Sequence, residues 1–396
     1  MPRFEPFLAV RYSPLQPLQP VIAPPYDVLS DDDVDRFVAL DRHNIVVIDV
    51  PRDRDGDDRY RLAGQRLNDW IAHGVLVIDE MPTFTLYRMK FIDEAGRHRE
   101  TVGVIGALEV VDEGSGGVLP HERTTPKAKS DRLDLTRATK ANISPIWGLS
   151  LATGLSDLLS EPGELVGQYT DNEGVLHMVE RVSEPDRCAA ISGAVASQAV
   201  VIADGHHRYA ISRTYRDEQR ELGAPATSPC ELTLAYVGEL VEDQLSVAAI
   251  HRLITGVSHS RLLEVFERFF ELSPAGEVTA GHARQVVQKN SLCLVSPDGS
   301  GTFLKPLPHS FDGVRDLDSA RLEHALGALP EVELRYQHGV ANIVHSVTTG
   351  EGTAGVLLRP VSVEEIRRTA DERLLMPPKS TFFTPKLQTG LVIRQL

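Results

Sequence analysis

The sequence of 396 residues predicts an α+β fold, mixed β-sheets with peripheral helices. Three observations lead there. Stretches of alternating hydrophobicity pair into hairpins, and stretches of helical period are interleaved with them rather than alternating strictly, the arrangement of α+β rather than doubly wound proteins. A composition of 42% hydrophobic and 24% charged residues supplies a buried core. The length exceeds one ordinary domain, so two are expected: residues 1–255, and a C-terminal α/β domain at 256–396 whose tail packs back on the first.

The elements follow in order. The proline-rich start ends in "IAPPYDV", and Ser30 before three aspartates reads as the N-cap of a short helix. Residues 57–73 carry Leu62, Leu67, Trp70 and Ile71 at helical spacing, with Gly74 as the stop. "TFTLYRMKFI", the turn "DEAG" and "RETVGVIGALEVV" form a long hairpin. After a polar loop comes the helix "DRLDLTRATKANI", then strands "SPIWGLSL" and "LVGQYT" around the short helix "GLSDLLS". The helix "SEPDRCAAISGAVAS" precedes the apolar strand "AVVIA", and "HHRYAISRTYRDEQRELG" continues as a helix ending at Gly223. "CELTLAYVGEL" is a strand, "HSRLLEVFERFFEL" and "AGHARQVVQKN" are helices, and "SLCLVSPDG" with "GTFLKPL" is a hairpin. Helices "DLDSARLEHALGAL" and "SVEEIRRTADERLL" flank the strand "TAGVLLRP", and the tail ends in a strand.

Composition removes several function classes. Forty-one Lys and Arg against 56 Asp and Glu give a charge of -15, which repels nucleic acid and anionic membranes. Cys188, Cys230 and Cys293 are too far apart for a zinc cage or a disulfide framework and suit a reducing compartment. The N-terminal twenty residues contain neither a signal-peptide core nor a membrane-spanning run, so the expected location is the cytoplasm. Walker, Rossmann, zincin, α/β-hydrolase and protein-kinase signatures are missing.

The densest chemistry lies in Val200–Tyr209, "VVIADGHHRY". A strand that runs through Asp-Gly into a helix start is an anion site, because the free N–H groups of the first turn point outward with the positive end of the helix dipole. Gly205 lets the backbone approach a ligand, Arg208 supplies a fork of donors for phosphate, and His206 or His207 donates hydrogen bonds or moves a proton. The plainer alternative makes Asp204 a helix cap and both histidines structural. A metal held by both histidines is disfavoured, since neighbours in a helix project about 100° apart, although Asp204 with one histidine remains open.

Two further stretches carry candidates. In "LPHERTTPKAKSDR", His121, Arg123 and Thr124 are candidate phosphate contacts, and Glu122 is a candidate general base or magnesium ligand. In "MPPKSTFFTPK", Lys379, Ser380, Thr381 and Lys386 stand between rigid prolines, either as a phosphate grip or as a packed tail. Tyr26 and Asp27 of "PPYD" admit a structural explanation.

Four landmarks, "IAPPYDV", "PHERT", "ADGHHRY" and "MPPKSTFFTPKLQTGLVI", occur in an order that resembles the bacterial and archaeal family called domain of unknown function 1015 across the whole chain. More distantly, "DGHHRY" is similar to the glycine-histidine-arginine signature of sulfiredoxins and the glycine-arginine signature of ParB-like proteins, in which the segment opens a helix that holds nucleotide phosphates. That resemblance implies a ParB/sulfiredoxin-like nucleotide-binding core in which Gly205, His207 and Arg208 contact phosphate. His206 stands where sulfiredoxins place their reactive cysteine, which argues against sulfinic-acid repair. The expectation is a nucleotide-dependent phosphotransferase, a kinase of a small hydroxylated metabolite such as a free amino acid. Its catalytic set would be Glu122, Asp204, His206 and His207, with Mg2+ on Asp204 and Glu122 and with ATP, ADP or CTP as nucleotide. Alternatives are a nucleotide-binding switch without turnover, and a metal-dependent hydrolase built on Asp204, His121 and the histidine pair. Expected partners are the nucleotide and a small-molecule substrate, with room for a homodimer.

Overall fold

The computed structural model describes residues 1–52, 58–93, 96–120 and 129–396. The chain divides into two units, Met1–Ser246 with Ala370–Arg373 and Pro385–Leu396, and Val247–Thr369 with Leu374–Thr384. The sheets are mixed and the helices peripheral, as an α+β protein requires.

The first unit is built, among the described residues, on a sheet of nine strands. Its order runs Val118–Pro120, Val200–Asp204, Ile146–Ser150, Leu232–Glu239, His98–Glu109, Phe84–Ile92, Leu176–Val182, Glu164–Thr170, with Phe4–Glu5 beside His98–Glu109. The expected hairpin of Phe84–Ile92 and His98–Glu109 forms its centre in antiparallel register. One face buries Phe84, Leu86, Val104, Ile146, Val200, Ile202 and Val237 against Leu155, Leu159, Ile191 and Val195 of two helices. Gly103 is needed where it stands, because a Cβ there would lie 2.3 Å from the ring of buried Tyr236.

Local signals explain the helices. Ser30 accepts from the Asp33 N–H while the Asp33 carboxylate accepts from Ser30, a full capping box on Asp31–Leu40. Arg59–Ala72 stops before Gly74, whose φ of +71° only glycine adopts without strain. The strand Leu176–Val182 was not expected from the sequence; its alternation of buried and half-exposed residues is broken by Glu180, which is itself buried against Arg88.

In the second unit a six-stranded antiparallel sheet runs Phe270–Glu277, Ser300–Pro306, Leu292–Val295, Ala354–Leu357, Ile250–Thr255, Glu333–His338. Both faces are covered, one by a cluster around Phe266, Leu294 and Val356, the other by Val286, Val295, Ile343 and Val347. Two expectations are corrected here. The helix His259–Phe266 ends earlier than its apolar period suggested, because Phe270–Glu277 pairs as an edge strand with Ser300–Pro306. Glu333–His338 and the helix Val340–Thr348 arise in a stretch given no element from sequence, the strand being too charged to show an alternating face.

Candidate functional site

Val118–Pro120 and Val200–Asp204 run parallel, with Ile202 opposite Pro120. Their carboxyl ends therefore open on the same edge of the sheet, where ligands of α/β sheets bind. Asp204 closes its strand next to Trp147, after a register shift that lets the chain turn out of the sheet. Gly205 then serves as N-cap in the left-handed region at φ +85°, and His206–Glu221 begins at once. Gly205 itself brings no capping side chain, and the first turn holds no acidic residue. An end of that kind leaves the positive pole of the dipole to an anion. The reading of Asp204 as the cap is thus set aside.

Asp204 instead organises cations. Its Oδ2 accepts from Arg208 Nη2 at 2.8 Å and its Oδ1 from Lys386 Nζ at 3.0 Å. Burial alone would raise this carboxyl, yet Lys386 and Arg208 hold it down at about 2. Arg208 also donates through Nη1 to the Pro145 carbonyl, so its fork is fixed rather than open, and its guanidinium folds over Gly205. His206 and His207 are the first two helical residues, both half-buried.

A second layer lies beneath Arg208. The Arg132 guanidinium sits 4.3 Å from the centre of the Tyr26 ring, a cation–π contact that brings "PPYD" to this place. Arg132 pairs with Asp49 at 3.2 Å and with Asp131 at 2.8 Å, and Asp131 accepts from the Tyr60 hydroxyl. Burial pushes the Asp49 carboxyl up despite Arg132 and Arg208, while the carboxylates around Arg132 outweigh its own desolvation and keep it charged. Tyr26, Asp49, Arg132, Asn142 and Arg208 line a cleft of about 50 Å³.

The other candidates fall as follows. His121, Glu122, Arg123 and Thr124 lie outside the described residues, directly after Pro120. Lys379, Ser380 and Thr381 belong to the second unit. Lys379 is exposed at φ +57° with its carbonyl held by Arg252 Nη2 at 3.1 Å, and the buried Ser380 hydroxyl donates to the Pro377 carbonyl. Among the described residues, no group of three or more His, Cys, Asp or Glu side chains is placed to hold a metal. No described helix is long and apolar enough to cross a membrane. Asp49 and Arg132 were missed from the sequence. The available signal was an aspartate closing the apolar run "IVVID", where a carboxylate facing a core needs a cation from elsewhere.

No curated protein matches the chain. Among the solved structures that overlap it, three at 13% identity are representative. A conserved hypothetical protein from Pyrococcus furiosus covers 69% of this chain and 92% of its own, with a TM-score of 0.36. A free serine kinase in complex with AMP covers 69% and 89%, with a TM-score of 0.37. SbnI with C-terminal truncation from Staphylococcus aureus covers 74% and 87%, with a TM-score of 0.38. Overlap of this depth leaves the activity to be read from the chain's own residues. The family itself is shown by a model that spans most of the sequence: this chain belongs to the family described as Protein of unknown function (DUF1015), matched over residues 4–320.

Proposed function

We propose that the protein is a nucleotide-dependent phosphotransferase, a kinase of a small hydroxylated metabolite such as a free amino acid. The observation that carries this reading is the glycine helix start at Gly205, set at the carboxyl end of a strand that lies parallel to the strand leading into "HERT". A phosphoryl group held there meets outward N–H groups, the helix dipole and the fixed charges of Arg208 and Lys386. His206 or His207, at the first turn, donates to charge developing on the transferring group.

The reaction also needs a base near the acceptor and charge on the phosphates, and little covalent chemistry. Asp204 is poorly suited as that base, since a carboxylate held at about 2 has little affinity for a proton. The role passes to Glu122, two residues beyond Pro120. Magnesium enters through the nucleotide's own phosphates with Glu122 as protein ligand, one or two carboxylates sufficing for an ion that keeps several waters. His121, Arg123 and Thr124 in the same segment supply further phosphate contacts. The nucleotide-binding core expected from the ParB/sulfiredoxin resemblance is part of this proposal.

Glu122→Gln tests it. ATP consumption against a panel of hydroxylated amino acids and polyols is expected to fall at least a hundredfold, with the affinity for magnesium-free nucleotide within threefold of wild type. Nucleotide binding by the wild type with no acceptor-dependent consumption would instead mark a nucleotide-binding switch.

A further inference from the structure

A sheet edge is a row of unpaired peptide groups, and folded proteins guard it with short strands, bulges, prolines or repelling charges. Of the four ends of the two large sheets, three are guarded in this way. Val118–Pro120 is three residues long and ends in proline. Glu164–Thr170 carries an extra residue, Val166, where its register with Leu176–Val182 shifts. Phe270–Glu277 contains Pro274 and a register shift at Ala275. Glu333–His338 differs: six residues pair with Ile250–Thr255 in unbroken antiparallel register, without proline, glycine or bulge.

Its inner neighbour shows which of its peptide groups are open. The Thr353 N–H donates to the Ile254 carbonyl, so the Ile254 peptide groups point towards Ala354–Leu357. Leu334, opposite Ile254, and Tyr336, opposite Arg252, therefore turn their N–H and C=O groups outward, since these groups alternate along an antiparallel ladder. No described residue hydrogen-bonds to them.

The charges on this strand suit a copy of itself. Glu333 and Arg335, both exposed, flank Leu334. A guard of one sign repels its own counterpart, whereas opposite signs two residues apart attract it when a second strand runs antiparallel about a two-fold axis through Leu334. Each Glu333 then lies opposite the other copy's Arg335, and Leu334 exchanges both backbone bonds with its counterpart. An axis at Arg335 would set that arginine against itself, and one at Tyr336 would leave Glu333 opposite Gly339. Tyr336, 44% exposed with Arg252 against its ring, adds an aromatic surface beside the axis.

We propose that Glu333–His338 is a homodimer seam: a second copy of this chain adds its own Glu333–His338 antiparallel, in the register that pairs Glu333 with Arg335, and the two six-stranded sheets join edge to edge. The seam lies in the second unit and holds whether or not the first unit transfers phosphate.

Two short strands make a small interface, and small interfaces are transient, so association is measured by sedimentation velocity from about 1 to about 300 µM. Wild type is expected to dimerise across that span. Glu333→Arg and Arg335→Glu each set like charges opposite one another and are expected to weaken dimerisation about tenfold or more, while the double variant, which swaps the two charges, returns to within about threefold of wild type. Thermal unfolding verifies that the variants fold. Amide hydrogen exchange of the wild type gives a readout free of substitutions, the Leu334 amide slowing as the dimer fills. A wild type that stays monomeric overturns the seam, as does a dimer that neither single reversal weakens or in which the Leu334 amide exchanges as in the monomer. Loss in both single variants without recovery in the double overturns the register, and the seam as proposed.

Discussion

His251 shows how much one buried side chain determines in the second unit. It is 3% exposed, and its Nδ1 accepts from the Leu358 N–H at 3.3 Å, so the neutral ring fits and a proton on Nδ1 would face a donor. Burial first, then His338 and Arg252, lower its pKa to about 4. A histidine depressed in the folded state stabilises fully above its unfolded value near 6.5, and that stability drains away as pH falls towards 4. Urea unfolding between pH 6.5 and 4 is expected to lose about 3 kcal/mol from this group. In His251→Asn, whose Oδ1 still accepts from Leu358, most of that slope should vanish; an unchanged slope in the variant would refute the assignment. Asp49 and Arg132 teach the complementary lesson about sequence. Each looks ordinary in its own stretch, one at the end of an apolar run and one in the first turn of a polar helix, and only the fold brings them within 3.2 Å of each other.

At the scale of elements, the strand-turn-helix at Val200–Glu221 was legible because it is local: an apolar run, a glycine and a long polar helix specify one another over neighbouring residues. The partners of that junction were not legible. Lys386 approaches Asp204 across 182 positions, and the parallel pairing of Val118–Pro120 with Val200–Asp204 depends on a sheet order that alternation along the chain cannot reveal. The Glu333–His338 strand was missed for the opposite reason, since an edge strand with exposed polar residues on both faces shows no period. Gly205 allows an element-level test. An added Cβ would sit 3.0 Å from Arg208 Nε at φ +85°, whereas one at Gly74, φ +71°, would meet nothing within 4 Å. Both alanine variants should lose about 1–2 kcal/mol from left-handed strain. Only Gly205→Ala should also weaken ADP binding, by at least tenfold in calorimetric titration, and equal ADP affinity in the two variants would separate the junction from the nucleotide.

Across the whole molecule, the acidic balance of -15 and the local cations at Asp204 belong together. A chain that repels polyanions in general keeps Arg208 and Lys386 fixed by Asp204 at one sheet edge, and in the proposed function a small anion meets oriented donors there rather than a basic surface. The family match spans residues 4–320, and the geometry puts "PPYD", "DGHHR" and the last twelve residues in one unit. The central claim is that the Gly205 helix start is a nucleotide-phosphate cradle, and thermal unfolding with ATP, ADP, CTP and GTP, each with and without magnesium, tests it most directly. At least one nucleotide is predicted to stabilise the protein, by about 2.7 kcal/mol at a hundredfold excess over its Kd. An unfolding midpoint that none of the four moves would contradict the claim.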